Sequence, residues 1–220
     1  EHFGSAEAAW KASPAALAEA GLPRSAYESF LDLRARIDLQ AFLEETAAKG
    51  ITVLTIEDQG YPRRLKSIAL PPPVLYMLGE IIEKDEWAVA IVGTRKYTHY
   101  GRQVAEEMAA FLARNGITVV SGLARGVDSI AHQAALDAGG RTVAVLGSGV
   151  DVLYPPENRK MAEAMARQGA VISDYPPGTP PDGINFPPRN RIISGLSLAV
   201  VVVEAGERSG ASITVNYALE

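Results

Sequence analysis

The 220-residue sequence predicts an α/β protein: a Rossmann-like, doubly wound, mostly parallel sheet preceded by a small all-α domain. Three observations carry this. From Trp87 onward, short apolar runs alternate with amphipathic helical stretches, the pattern of successive βαβ units. The apolar runs are nearly continuous, as strands covered on both faces are. Ahead of them, residues 5–49 read as short helices punctuated by caps and stops.

In chain order, residues 5–11 form the first helical stretch. The second has Ser13 as its cap, Pro14 at the first position and Gly21 as its stop. A third, after Pro23, carries Tyr27, Phe30 and Leu31; a fourth carries Leu39, Phe42 and Leu43 and stops at Gly50. Small helices of this kind build helix-hairpin-helix-like modules, which bind DNA backbones or dock on partners. The β-branched run 51–56 predicts a strand. Tyr61–Lys66 reads as a short helix or turn, Pro71-Pro72-Pro73 as a stiff connector, and 74–79 as a second strand. The regular part follows, with strands at 88–92, 117–121, 142–146, 170–173 and 198–203. Its helices are predicted near 100–115, 128–138, 157–168 and 189–196, with another starting at Ser209. The division expected is a helical domain over 1–49 and a Rossmann-like DNA-binding domain over 50–220. The chain starts at Glu1 without Met and ends inside a helical pattern, which predicts a truncated fragment.

Composition narrows the function classes. Hydrophobic residues make up 47% and charged residues 21%, as in soluble globular domains. Cysteine is absent, which excludes disulfides and thiolate metal sites and fits a cytoplasmic protein. His2, His99 and His132 lack metal-ligand spacing. No secretory signal is visible, and no apolar run approaches a membrane span. The net charge of −5 argues against a nucleic-acid coat over the whole surface but leaves room for a local basic groove.

In doubly wound sheets ligands bind beyond the carboxyl ends of the strands. Those ends carry Gly93-Thr94-Arg95-Lys96, then Ser121-Gly122-Leu123-Ala124-Arg125-Gly126-Val127-Asp128, then Gly147-Ser148-Gly149-Val150-Asp151. The last carries Glu204-Ala205-Gly206-Glu207-Arg208-Ser209-Gly210. Glycine lets backbone N–H groups approach an anion, so the edge reads as an anion-binding rim. The remaining loop ends in Phe186-Pro187-Pro188-Arg189-Asn190-Arg191. If Pro188 opens a helix, Arg189, Asn190 and Arg191 fall in its first turn, beside free N–H groups and the positive dipole end, an arrangement suited to phosphate. Phe186 is then placed to stack on a base. The plain alternative is a loop whose arginines pair with carboxylates and whose Phe is core.

Standard cofactor motifs are absent. Gly147-Ser148-Gly149 begins like G-x-G-x-x-G, but Val152 stands where the last glycine belongs and the following helix starts late, near Glu157. There is no Walker A motif. No cofactor is therefore expected. Catalytic sets are missing too: Asp128 reads as a helix cap and His132 as packed on a helix surface. Glu204, beside Ser209-Gly210, is the best lone catalytic candidate, or it orders the loop.

Taken together, Val92-Gly93-Thr94-Arg95, the run from Ser121 to His132, the run from Gly147 to Pro155, the run from Phe186 to Gly195, and Glu204-Ala205 resemble the DNA-processing protein A (DprA/Smf) family. The resemblance covers roughly residues 50–220, and more weakly residues 1–49 as the family's sterile-alpha-motif-like domain lacking its first helices. It implies an extended Rossmann fold that binds single-stranded DNA, loads the RecA recombinase onto it in natural transformation, works as a homodimer and is not an enzyme. Carried onto this sequence, it implies DNA-binding roles for Arg95, the loop Gly122–Gly126, Gly147–Gly149, Phe186, Arg189, Asn190 and Arg191. Ala211-Ser212 departs from the family's usual Ser-Leu, and the family's last strands and C-terminal winged-helix-like domain are missing. The competing reading is a nucleotide-processing enzyme, phosphoribohydrolase-like, acting through Glu204.

Overall fold

The computed structural model describes residues 2–206 and 209–220; Glu207 and Arg208 of the last rim loop lie outside the described residues. The chain divides into two compact units, Glu1–Glu45 and Thr46–Glu220. The first contains α1 (Ala6–Lys11), α2 (Pro14–Glu19), α3 (Arg24–Arg36) and the start of α4 (Leu39–Ala48), so the division falls within α4. Ser5 and Ser13 cap α1 and α2 by accepting backbone N–H bonds from Ala8 and Ala16. The Arg34 guanidinium donates to the carbonyls of Trp10 and Ala12, and Trp10 meets Phe30 edge-on at 5.4 Å.

The second unit is an α/β layer structure. Its elements are β1 (Thr52–Thr55), α5 (Arg63–Lys66), β2 (Val74–Gly79), β3 (Ala88–Gly93), α6 (His99–Arg114), β4 (Thr118–Ser121), α7 (Val127–Asp137), β5 (Thr142–Val145), α8 (Arg159–Gln168), β6 (Ala170–Ser173), α9 (Phe186–Gly195), β7 (Ala199–Val203) and α10 (Gly210–Leu219). The strands form one sheet in the order β1-β2-β6-β5-β4-β3-β7. The five strands from β6 to β7 are parallel, and β1 and β2 extend the sheet antiparallel.

Period-two alternation splits the apolar strands between the two faces. Ala88, Ala90, Val92, Val143 and Val145 face Leu65, Ile192, Ile193 and Leu196 of the α5–α9 layer. Ile91, Val119 and Val203 face the small residues Ala105, Ala109, Ala131 and Ala135 of α6 and α7. Leu146 and Val171 pack on Ala162 and Met165 of α8.

Two expectations are corrected. The strand predicted from Leu198 starts at Ala199, and its cover is partial: Val200 and Val201 pack on the two faces, while Ala199 and Val202 are exposed where β7 closes the sheet as an edge. Apolar content reports a strand but not its rank in the sheet. The helix predicted to open at Pro188 begins at Phe186, so Pro187 and Pro188 both lie in its first turn. Neither has an N–H to offer, so that helix end supplies fewer free donors than expected of it.

The chain runs β3 to β6 toward one side of the sheet, then returns so that β7 pairs with β3 on the other. After β3 it enters α6 on one face; after β7 it enters α10, whose Ala211 packs on the opposite face. The loops after β3 and β7 therefore part at a topological switch point, where such sheets form their crevice.

Candidate nucleic-acid interface

A groove of about 1860 Å³, counting its solvent-open side, lies at that switch point. One wall is Gly93-Thr94-Arg95-Lys96; the other includes Phe186, Pro187, Asn190, Ser209 and Gly210, with Arg189 and Asp128 at depth. The first wall is held by Glu204. Its Oε2 accepts from the Thr98 N–H at 2.7 Å and its Oε1 from the Thr98 hydroxyl, while Gly101 N–H donates to that hydroxyl at 3.1 Å. A Cβ on Gly101 would lie 2.2 Å from the Glu204 carboxylate, so only glycine admits this clasp. Glu204 thus orders the loop, the second of the two roles its sequence allowed. Thr94 folds the tip, its hydroxyl accepting from the Lys96 N–H at 3.1 Å. Arg95 and Lys96 stand exposed beyond it.

Arg189 lies at the floor of the groove rather than on its surface. It is 5% exposed. Its Nη1 donates to the carbonyls of Gly122 (3.0 Å) and Val145, and its Nε to Asn190 Oδ1 at 3.2 Å. Burial lowers its pKa to about 10, against the opposing pull of Asp128 and Asp174, so it stays charged at neutral pH. Arg191 is engaged on the other side of α9. Its Nε donates to the Leu70 carbonyl, Nη1 to the Pro188 carbonyl and Nη2 to Asp174, each at 2.8 Å. Residues two apart on a helix are separated by about 200°, which sends Arg191 away from the groove that Arg189 underlies. Asn190 bridges α9 to α10 by donating to the Gly210 carbonyl at 3.3 Å, and Ser209 caps α10 through the Ala211 N–H.

The rim glycines are explained mainly by close packing. A Cβ on Gly93 would lie 1.9 Å from the Val203 carbonyl, and one on Gly122 2.6 Å from the Arg189 guanidinium. Gly126 has φ +90° and sits beneath the Thr94 carbonyl. Gly147, Ser148 and Gly149 are buried rather than lining an open anion site. Gly147 receives the Phe186 ring, Ser148 donates to the Val152 carbonyl and Gly149 N–H donates to the Thr179 carbonyl. Arg125 is exposed and pairs with Glu157.

Phe186 is half-buried at the junction of the groove and a smaller cleft. Its ring centroid is 6.0 Å from that of Tyr154, tilted by 37°, and the Arg189 guanidinium carbon is 6.0 Å from the ring. Tyr154 and Lys96 also line the groove, and neither was singled out from the sequence. Lys96 was signalled by the Arg95-Lys96-Tyr97 run, in which basic and aromatic residues interleave; Tyr154 had only the motif around it.

Asp128, expected to cap α7, instead closes the loop ahead of it, its Oδ2 accepting from Gly122 and Ala124 N–H at 3.1 and 3.3 Å; Gly126 occupies the cap. Burial raises the Asp128 pKa, opposed by Arg189. His132 lies on the packed side of α7, fully buried, with Nδ1 2.6 Å from the Thr142 hydroxyl. The one hydroxyl proton goes to the Val119 carbonyl, so Nδ1 is the donor. Burial, then the Arg189 charge, lowers the His132 pKa from 6.5 to about 3.

The folded state therefore resists a proton that the unfolded state accepts. The stability that neutral His132 allows is complete above pH 6.5 and falls as the pH drops toward 3. Asp128, with its raised pKa, has the opposite sign, its contribution being lost as the pH rises above the ordinary carboxylate range. Urea unfolding should show a loss of about 1.4 kcal/mol between neutral pH and about pH 5.5. His132→Gln should flatten that slope; an equally steep slope in the variant assigns the loss elsewhere.

Among the described residues no group of three or more His, Cys, Asp and Glu is placed to hold a metal ion, and no helix is long and apolar enough to cross a membrane. The sequence profile of DNA recombination-mediator protein A matches residues 52–220. The Protein Smf of Synechocystis sp. is 45% identical over 225 residues, covering 100% of this chain and 56% of the relative. The DNA processing protein DprA of Bacillus subtilis is 44% identical over 174 residues, covering 78% and 58%. The chain thus spans about half the length of the curated relatives it matches. The X-ray structure of DNA processing protein A from Streptococcus pneumoniae superposes with a TM-score of 0.78 at 38% identity, over 86% of this chain and 66% of that one. The Helicobacter pylori DNA processing protein A, solved for its unique single-stranded DNA binding mode, gives 0.67 at 33% identity over 76% of each chain. With a profile match across the whole sheet unit and this identity over the full chain, the protein belongs to the DNA recombination-mediator protein A family.

Proposed function

We propose that the switch-point groove binds single-stranded DNA in preference to duplex. Phe186 carries the reading: a half-buried aromatic ring lies between an exposed Arg95-Lys96 tip and a buried, charged Arg189. An aromatic face takes an unpaired base but not a paired one, and the basic tip tracks the phosphates. The similar Helicobacter pylori protein, solved for its single-stranded DNA binding mode, supports the same assignment. In this reading residues 50–220 are the DNA-binding domain and residues 1–49 a separate helical domain. The bound strand is handed to RecA during natural transformation by a cytoplasmic homodimer, and the role is binding rather than catalysis. The engagement of both Glu204 oxygens by Thr98 weighs against the nucleotide-processing alternative.

Fluorescence anisotropy with a labelled single strand and its duplex at matched salt tests the core of this. Tighter single-strand binding is expected, and equal affinities would refute it. Replacing Arg95 and Lys96 by Ala should lower the log–log salt slope by about 0.7 for each lost phosphate contact. Arg191→Ala should leave the slope unchanged, because its donors hold Leu70, Pro188 and Asp174. RecA loading is read separately, as faster RecA assembly on a strand precoated with a single-strand binding protein.

A further inference from the structure

The loop from Thr94 to Thr98 carries Arg95 and Lys96 at its exposed tip, and one residue just past β7 holds it at both ends. The Thr94 N–H donates to the Glu204 carbonyl at 2.7 Å, and the Glu204 carboxylate grips the far end through the Thr98 N–H and hydroxyl. The Thr94 carbonyl accepts in turn from the Val127 N–H at 3.1 Å. Reaching both ends takes a backbone that side-chain-bearing residues rarely adopt: Glu204 has φ 49°, in the left-handed region. Such a conformation persists where the surrounding contacts impose it, and it gathers at ligand clamps.

By charge alone Glu204 works against the groove, since it sets a carboxylate behind a basic lip that is to meet a polyanion. What it supplies is order. Arg95 and Lys96 are long side chains on a five-residue span, and a loop that becomes ordered only on binding loses affinity to that ordering. We propose that Glu204 is the positioning residue of the DNA groove: it does not touch the strand, and single-strand affinity depends on it through Arg95 and Lys96. The inference rests on single-strand binding at the groove and deepens it. It also fixes a sign. Removing a bystander carboxylate tightens the binding of a polyanion, whereas removing a positioning carboxylate weakens it.

Single-strand affinity and thermal melting are measured on the 220-residue chain and its variants, with affinity expressed per folded molecule. Glu204→Ala should bind about tenfold more weakly, because two long side chains are left to be ordered on binding. Glu204→Gln keeps an oxygen for the Thr98 N–H and should recover most of the affinity. In a chain that already carries Arg95→Ala and Lys96→Ala, Glu204→Ala should weaken binding no further, since the groups it acts through are gone. Thr98→Val leaves the charge and removes the hydroxyl from the clasp; it should weaken binding too, and it carries the test if Glu204→Ala does not fold. Unchanged or tighter binding by whichever of these two variants folds makes the carboxylate a bystander and overturns the proposal. A tenfold loss that persists without Arg95 and Lys96 overturns it as well, by assigning the effect to the fold at large. Either result leaves single-strand binding at the groove intact. Failure of the unaltered chain to bind a single strand, or full affinity in the Arg95→Ala, Lys96→Ala chain, removes the groove reading and the positioning role together.

Discussion

Arg189→Ala is expected to lower folding stability by about 3–5 kcal/mol, the cost of removing one partner from a buried charged network. The substitution orphans the carbonyls of Gly122 and Val145, removes the donor to Asn190 Oδ1 and leaves the buried Asp128 without its compensating charge. It also empties the space over Gly122 that the guanidinium fills. The melting temperature should fall by roughly 10 °C, since 1 kcal/mol shifts a domain of this size by about 2–4 °C. Thermal melting and urea titration read this directly. A variant that melts normally but loses about 0.7 from its single-strand salt slope would mean instead that Arg189 contacts phosphate.

Phe186→Ala is expected to weaken single-strand binding by about 1–3 kcal/mol at a nearly constant salt slope, because a stacking face is lost and no phosphate contact is. Its effect on folding should fall short of the 3–5 kcal/mol typical of fully buried aromatics, because the ring is only half-buried. The loss that does occur comes from the Gly147 floor and the Tyr154 neighbour. Melting and salt titration on the same sample separate the effects. A variant that melts much earlier yet binds normally when folded would make Phe186 a core residue and remove stacking from the site.

The fold was legible in the chain because its signals are local. Apolar runs at 88–92, 142–146 and 170–173 announce buried strands through residues that are near neighbours in sequence, and the amphipathic stretches between them announce covering helices. The rim loops were legible for the same reason, since the carboxyl ends of parallel strands share one edge. The sequence also brought Phe186, Arg95 and Arg189 into one argument, and the groove does contain all three. What it could not show was which polar atoms are already engaged. Arg189 and Arg191 look equivalent two positions apart, but helical geometry sends them to different sides of α9. Arg189 is held by carbonyls 67 and 44 positions away, and Arg191 by one 121 positions away. In the same way the glycines of the rim read as anion loops, yet Gly93, Gly122 and Gly147 are small because Val203, Arg189 and Phe186 press against them. Local pattern determines which segments become strands and helices. The partner of each hydrogen-bonding group, and hence which arginine remains to meet a ligand, is decided only when distant segments close over one another and exclude water.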